Sequence, residues 1–462
     1  MHMKYDEIRI KIFLLFIGMG IVIMSVGFNN EKVKDSSTPE QILQRIQLPT
    51  ILDKDYSLLD FGAIADGEFD CKPAIDSAIV VISQNGGGRL IIPKGDFLVN
   101  GPIHLKSHIN LHLEKGSKVF FSQNPNHYLP MQLVRWEGVE VYNYSPYIYA
   151  IHETDIAITG QGTFIGQGEG GISEWRSIQK PDQNKLRDMG KQLVPIEERL
   201  FGEGHYLRMS FIQLMHCTNI RISDITIEDV PFWVVHPTYC KSITINNIKV
   251  DCTRINNDGI DMDSCEDALI EDCTFNAGDD AIAIKSGRDN DAWKINRPSK
   301  NIVVRNCLAK NVLHGMAFGS EMSGGVENIY VNNFIMKNVE EYAIQFKSNL
   351  DRGGYIRNVF IDGVYIDNAK TAIYFTNDYH SFRGGDSPSD FHHITIKNLI
   401  CKKARGRSID IVGLQDHPIN HVELKNVLIL NEDEASQVVN TEQTTYDNIT
   451  IGEKEINMTI WP

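Results

Sequence analysis

The sequence predicts an all-β fold, a single-stranded parallel β-helix with an N-terminal capping segment. Three observations carry this. A short phrase of a polar residue, alternating apolar residues and a second polar turn returns as TNIRISDITI, KSITINNIKV, EDALIEDCTF, KNIVVRNCLA, ENIYVNNFIM, RNVFIDGVYI, HHITIKNLIC and NHVELKNVLI, with an earlier copy TDIAITG. The second residues of the eight later copies fall at 219, 242, 267, 301, 328, 358, 393 and 421, spacings of 23 to 35 residues, the range of stacked repeats. Within each copy the apolar period is two, which reads as strand, and Asn, Asp or Gly between copies reads as turn. The longer spacings mark loops inserted into single coils, where solenoids carry their binding face.

Taken in order, residues 1–27 hold Lys4, Arg9 and Lys11 followed by an apolar run from Ile12 to Phe28. This pattern reads as a signal peptide or, uncleaved, a membrane anchor; it predicts a periplasmic or extracellular protein that meets a membrane only through that segment. Residues 28–50, polar and poor in aromatics, read as a linker. Residues 51–100 read as an N-terminal cap and first coil: a Gly/Asp turn, an amphipathic helix over 72–83, then GGG and a strand. Such a helix covers the open apolar end of a coil stack. Residues 101–462 form the coils of a catalytic domain, interrupted over 166–204, where strand alternation gives way to helical spacing and a loop beside the groove is expected.

A formal net charge of −15 argues against a nucleic-acid partner and repels polyanions, so binding one requires locally focused Lys and Arg. Eight cysteines are present, five of them (Cys217, Cys240, Cys265, Cys273 and Cys307) at or beside repeat strands. They read as buried free thiols stacked between coils. No Cys or His spacing points to a metal, and no cofactor is expected. A capped solenoid is expected to be a monomer.

The chemistry is concentrated in NNDGIDMDSC at 256–265 and NAGDDAIAIKSG at 276–287, which set Asp258 and the Asp279–Asp280 pair about one coil apart. Adjacent rungs lie about 4.8 Å from each other, so the three carboxylates converge on one face. Like charges that close raise at least one pKa. A protonated acid beside an ionised carboxylate is the pair that cleaves a glycosidic bond. Asp261 and Asp263 follow on the same strand, with a hydrogen-bonding supporting role expected.

In order and spacing, NNDG at 256–259, GDD at 278–280, HG at 314–315 and FK at 346–347 resemble the NTD, DD, GHG and RIK signature of glycoside hydrolase family 28, the polygalacturonase-like pectin hydrolases, and their bacterial exo-type subgroup in particular. The likeness runs from about Leu58 to Ala404. It implies a right-handed, pectin-lyase-like solenoid and inverting, exo-type hydrolysis of a pectic polysaccharide or oligosaccharide, of polygalacturonase or rhamnogalacturonan type. Rung spacing alone leans toward the closer carboxylates of a retaining enzyme; the resemblance implies inversion, which is the expectation adopted.

The resemblance also implies roles. Asp279 is the general acid, Asp258 and Asp280 position the attacking water, and His314 holds a catalytic carboxylate. Lys347, Gln345, Arg352, Lys285, Arg288 and Tyr379 are the expected substrate-binding residues, with Tyr374 and His380 as further sugar-stacking candidates. Arg135, Trp136, Glu137, His205, Tyr206, Arg208 and Trp233 shape the far end of the cleft, and Asn256 and Asn257 complete turns. The chain departs from the family pattern twice, with Leu313 where the family has Gly and Gln345 where it has Arg. Glutamine supplies neither the charge nor the fork of a guanidinium, which leaves the pectic substrate open. Two other readings remain at this point: a β-helix polysaccharide lyase, in which clustered acids hold Ca²⁺, and a non-catalytic carbohydrate-binding solenoid.

Overall fold

The computed structural model describes residues 37–168 and 170–452 and the backbone of 454–455. The signal or anchor expected over 1–27 and the first part of the expected linker lie outside the described residues. Among the described residues no helix is long and apolar enough to cross a membrane.

The repeats wind into a right-handed parallel β-helix. One flank is an 11-stranded sheet that begins at Ile103–His104 and ends at Gln437–Val439, with one strand from each coil. The other flanks belong to a 24-stranded sheet. Equivalent apolar residues stack in register: Ile220 on Ile243, Ala268, Ile302, Ile329, Val359, Ile394 and Val422. All are buried in one core running from Leu58 to Ile451, which therefore includes the cap. The parallel pairing runs unbroken through position 101, from Asp55–Ser57 to Gly88–Ile92 to Ile109–Leu113, so the coils begin within the segment read as the cap.

The repeat read from the sequence is a backbone requirement. Asn219, Ser242, Asp267, Asn301, Asn328, Asn358, His393 and His421, the second residues of the eight phrases, all have φ between +50° and +62°. Asn and Asp tolerate this left-handed conformation better than other non-glycine residues. Many of the asparagines also pass a side-chain hydrogen bond to the next coil, as in Asn328 to Asn301 and Asn358 to Asn328, each at 3.1 Å.

The capping helix spans Lys72–Gln84 and buries Ala74, Ile75, Ala78, Ile79 and Ile82. All eight cysteines are free and buried. Burial and its neighbours Cys217 and Cys265 push the Cys240 thiol well up, so it packs as a small apolar group.

The linker expectation fails for residues 37–50. Thr38 caps a helix over Pro39–Arg45 through a capping box with Gln41, and Ile42 is fully buried against Leu269 and Val303. At the end of the helix Arg45 pairs with Asp267 at 2.7 Å, and beyond it the Gln47 N–H donates to Ser242 and the Thr50 N–H donates to Asp155 at 3.0 Å. The segment is a strap along the left-handed corners of the coils. A polar composition concealed it because only Ile42 is fully buried, with Leu43 and Ile46 packed partly beside it, and the remaining contacts are polar. Ile42→Ala is expected to cost about 2–5 kcal/mol, read as a lowered urea midpoint with hydrolysis unchanged under native conditions.

The 166–204 excursion contains an α-helix over Lys180–Lys191. It packs on a hairpin of Gln132–Trp136 and Val139–Asn143 through a small second core that includes Val134, Trp136, Val139, Leu186, Phe201 and Trp233. This rigid wall stands over one side of the 11-stranded sheet.

Candidate active site

Coil stacking brings the three predicted acids together. Asp258 lies in the turn before Ile260–Asp263, Asp279 in the turn before Asp280–Lys285, and Asp280 begins that strand, in register with His314 at the start of His314–Gly319. The Gly259 N–H donates to the Asp280 carbonyl at 2.9 Å, fixing the adjacent rungs. All three acids line a pocket with Trp233, Asn256, Lys285, Arg288, Glu321, Lys347, Arg352, Tyr379 and His380, closed on the excursion side by Glu137 and Arg187.

The acids have distinct surroundings. Asp280 is fully buried and receives His314 Nδ1 at 2.7 Å and Lys347 Nζ at 3.0 and 3.1 Å. Burial works to raise its pKa, but Lys347, His314 and Lys285 together outweigh it and hold the carboxyl well below the usual range. Asp280 is therefore ionised. His314 is raised despite burial by its bonds to Asp279 and Asp280, and its ring stacks on Tyr342 at 5.4 Å.

Asp258 and Asp261 are pushed the other way. Burial raises both well above the usual range; for Asp258 the neighbouring Asp261 and Asp279 add to it, and for Asp261 Asp280 adds while Lys285 opposes. Lys285 Nζ sits at 3.5 Å from each of them, 3.3 Å from Glu321 and 4.0 Å from Asp280, 4.5 Å above the Trp233 ring. One cation faces four carboxylates, so the neutral form of Asp258 and Asp261 is favoured.

Asp279 is the partly exposed member. Its Oδ1 accepts the Asp280 N–H at 3.1 Å and lies 3.6 Å from His314 Nδ1, and its Oδ2 accepts Asn256 Nδ2 at 3.3 Å. Asn256 in turn accepts Arg208 Nη2 at 2.7 Å. Asn256 was expected only to complete a turn; it does so with φ +64° and also bridges Arg208 to Asp279. Asp263 supports from below, accepting Arg135 Nη1 at 2.8 Å beside His236 at 3.3 Å.

Of the expected substrate-binding residues, Lys285, Arg288, Lys347, Arg352 and Tyr379 line the pocket and Gln345 does not. Gln345 is wholly buried, in register between Ala317 and Tyr374, and neither amide atom has a hydrogen-bond partner. Ile344 and Phe346 take the core face of that strand, so Gln345 shares the outward face with Lys347 but is covered completely there. Tyr374 is likewise no platform for a sugar: its ring stacks on Tyr342 at 4.0 Å. Arg288 and Arg352 are largely committed to protein. Arg288 donates to the Glu137 carbonyl and to Glu321, and Arg352 to the Ser320 carbonyl and Asp289.

Sequence reading passed over Glu321 and Arg187. Glu321 pairs with Lys285 and Arg288, which overcome burial and hold it well below the usual range. Arg187 donates to Glu137 at 2.6 Å from the excursion helix. The run GSEMSGG carried a signal for the first; nothing local marked the second, because its partner is 50 residues away.

A parallel β-helix that gathers Asp258, Asp279 and Asp280 in one pocket around a buried lysine has the layout of a glycoside hydrolase. The chain belongs to glycosyl hydrolases family 28, whose model matches residues 203–448. It is similar to a probable polygalacturonase of Vitis vinifera, 29% identical over 387 residues that cover 81% of this chain and 74% of that protein. Among solved structures it is similar to the hyperthermoactive exopolygalacturonase of Thermotoga maritima, at 37% identity and TM-score 0.85, over 90% of this chain and 96% of that one. The family 28 exopolygalacturonase of Yersinia enterocolitica shares the fold at TM-score 0.70 and 20% identity, over 88% and 77% of the two chains.

Proposed function

We propose that the chain hydrolyses galacturonate-containing pectic chains from their ends, with inversion. The observation that carries this is Asp280, ionised by Lys347 and His314 in the pocket that also holds Asp258 and Asp279. Asp279, the partly exposed carboxyl, gives its proton to the glycosidic oxygen as the C1–O bond breaks. Asp280 and Asp258 hold a water on the opposite face of the sugar; its oxygen bonds to C1, and its proton passes to Asp280. The oxocarbenium-like charge at C1 develops between carboxylates, which stabilise it.

The wall formed by the excursion helix and Glu137 closes one side of the pocket and supports exo action. Lys347, Arg288, Arg352, Arg187 and Lys285, each paired with protein carboxylates, offset the acids that line the pocket, so that an acidic sugar is tolerated there on a protein of net charge −15. Lys285 acts by setting the charge of the acids, and Tyr379, 5.5 Å below the Lys347 ammonium, offers a face to the sugar. The protein works as a monomer in the periplasm or outside the cell, delivered by its basic and apolar N-terminus.

Digestion of oligogalacturonides of defined length, followed by NMR from the first seconds, is expected to show monomer or dimer released from one end, with the anomeric signal opposite to that of the substrate bond. Random internal cleavage would overturn the exo reading, and net retention the inverting one. A product with a new ultraviolet-absorbing double bond would instead establish a lyase.

A further inference from the structure

A trough separate from the catalytic pocket crosses the early coils on the outer face of the 24-stranded sheet. None of its lining residues lines the catalytic pocket. Four strands build it: Gly88–Ile92, Ile109–Leu113, Thr154–Gly160 and Thr218–Ser223. Register sets Arg89, Asn110, Ala157 and Arg221 side by side on successive rungs. Their neighbours Leu90, Leu111, Ile158 and Ile222 take the core, so these four side chains face out. The two arginines stand three rungs, about 14 Å, apart, and the shorter Asn110 and Ala157 between them make the depression.

Net charge does not single this trough out. Its cations Arg89, Lys115 and Arg221 are offset by Glu114 and Asp224, and Arg89 is held by Asp55 through two hydrogen bonds. Unused hydrogen-bonding capacity does. Ser223 is wholly buried and its Oγ has no protein partner, which costs about 1–3 kcal/mol if no other group meets it. Among the described residues the Arg221 side chain has no hydrogen-bond or ion-pair partner, so its five N–H donors are free.

Thr159 organises the groups between them. Its hydroxyl has one hydrogen, which goes to Asn110 Oδ1 at 2.8 Å, so it accepts a hydrogen from His112 Nδ1, also at 2.8 Å. Burial, with Arg89 adding to it, lowers the His112 pKa from its ordinary value and keeps the ring neutral at pH 7. With Nδ1 carrying the hydrogen, His112 Nε2 is an acceptor, and the Asn110 Nδ2 hydrogens remain as donors.

A guanidinium fork with no protein carboxylate on it fits a planar carboxylate, and the amide, hydroxyl and imidazole beside it fit hydroxyl groups. We propose that this trough is a second, non-catalytic binding site for an acidic sugar, in which Arg221 grips the carboxylate and Asn110, His112 and Ser223 take ring hydroxyls. A polymer held there by one stretch keeps its remaining length close to the protein and raises its effective concentration at the pocket. The choice of a galacturonate-type ligand rests on the pectic reading above.

The test titrates galacturonate trimer into the Asp279→Asn protein, which spares the ligand, and follows the ring signals of His112 by NMR. A saturable shift is expected, absent when Arg221→Ala is added and not reproduced by sodium sulfate at the same ionic strength. In the otherwise unaltered enzyme, Arg221→Ala is expected to leave hydrolysis of the trimer within about twofold and to raise KM on polygalacturonate at least about threefold with kcat unchanged, the pattern of lost uniform binding. Arg221 is partly exposed, and normal turnover of the trimer shows that the variant is folded. No saturable shift, with the trimer hydrolysed by the native enzyme, would overturn this inference and leave the hydrolase reading standing. An equal shift with sulfate would reduce the trough to an adventitious ion site only and overturn the sugar assignment, and an unchanged KM on the polymer would overturn the tethering role. Neither shift nor hydrolysis of trimer or polymer would overturn both readings.

Discussion

Asp279→Asn is expected to lower kcat by about 100- to 10,000-fold, the usual contribution of a positioned general acid, and an aryl galacturonide with an acidic phenol leaving group is expected to restore most of the loss. Such a leaving group departs without a proton, so the acid becomes dispensable. Asp280→Asn should fall at least as far and should not be rescued, because the water still lacks its ionised partner. The mutant pair therefore separates the roles that a simple loss of activity would merge. The two side chains are adjacent in sequence but differ in surroundings: Asp280 is buried under Lys347 and His314, while Asp279 is partly exposed at the pocket. Equal rescue of both variants would reverse or dissolve this assignment.

Lys285→Met is expected to destabilise the protein by about 3–5 kcal/mol at neutral pH, the cost of leaving buried charge unpaired, measured by urea denaturation. The ammonium lies within 4.0 Å of Asp258, Asp261, Asp280 and Glu321, and the methionine replaces its volume but not its charge. The pH dependence has a definite sign. Asp280 and Glu321 have depressed pKa values, so the stability they contribute is present above their ordinary values of 3.8 and 4.5 and is lost as pH falls through the depressed ones. Asp258 and Asp261 are raised; the stability they contribute is full below 3.8 and declines as pH rises through their folded values. Removing Lys285 weakens the first contribution and deepens the second decline. The deficit of the variant should thus be largest at pH 7 and above and shrink toward pH 4. A deficit independent of pH would mean that Lys285 acts by packing on Trp233 and not by charge.

Much of this was legible in the chain. The phrase positions 219 to 421 are the left-handed corners themselves, so the repeat could be read without any structure. The acids were legible because a full coil between Asp258 and Asp279 returns the chain to the same face. Less visible were features made by residues far apart. The strap at 37–50 looks like linker because its partners, Asp155, Ser242 and Asp267, lie on three different coils. Gln345 looked like a contact residue because it shares a strand face with Lys347; it is in register between Ala317 and Tyr374 and is wholly covered, which no local sequence signal marks.

Local order along the chain determined the coil period, the turn chemistry and the identity of the reacting acids, since each depends on neighbours within a single turn of the solenoid. Tertiary structure alone decided which acid is ionised, that Lys285 is shared among four carboxylates, and that Glu137 and Arg187 wall the pocket. The physical reason is that charge state and cavity shape arise from desolvation and Coulomb interactions between groups brought within a few ångströms, and the partners in those interactions are separated by as many as 151 residues, as for Arg288 and Glu137.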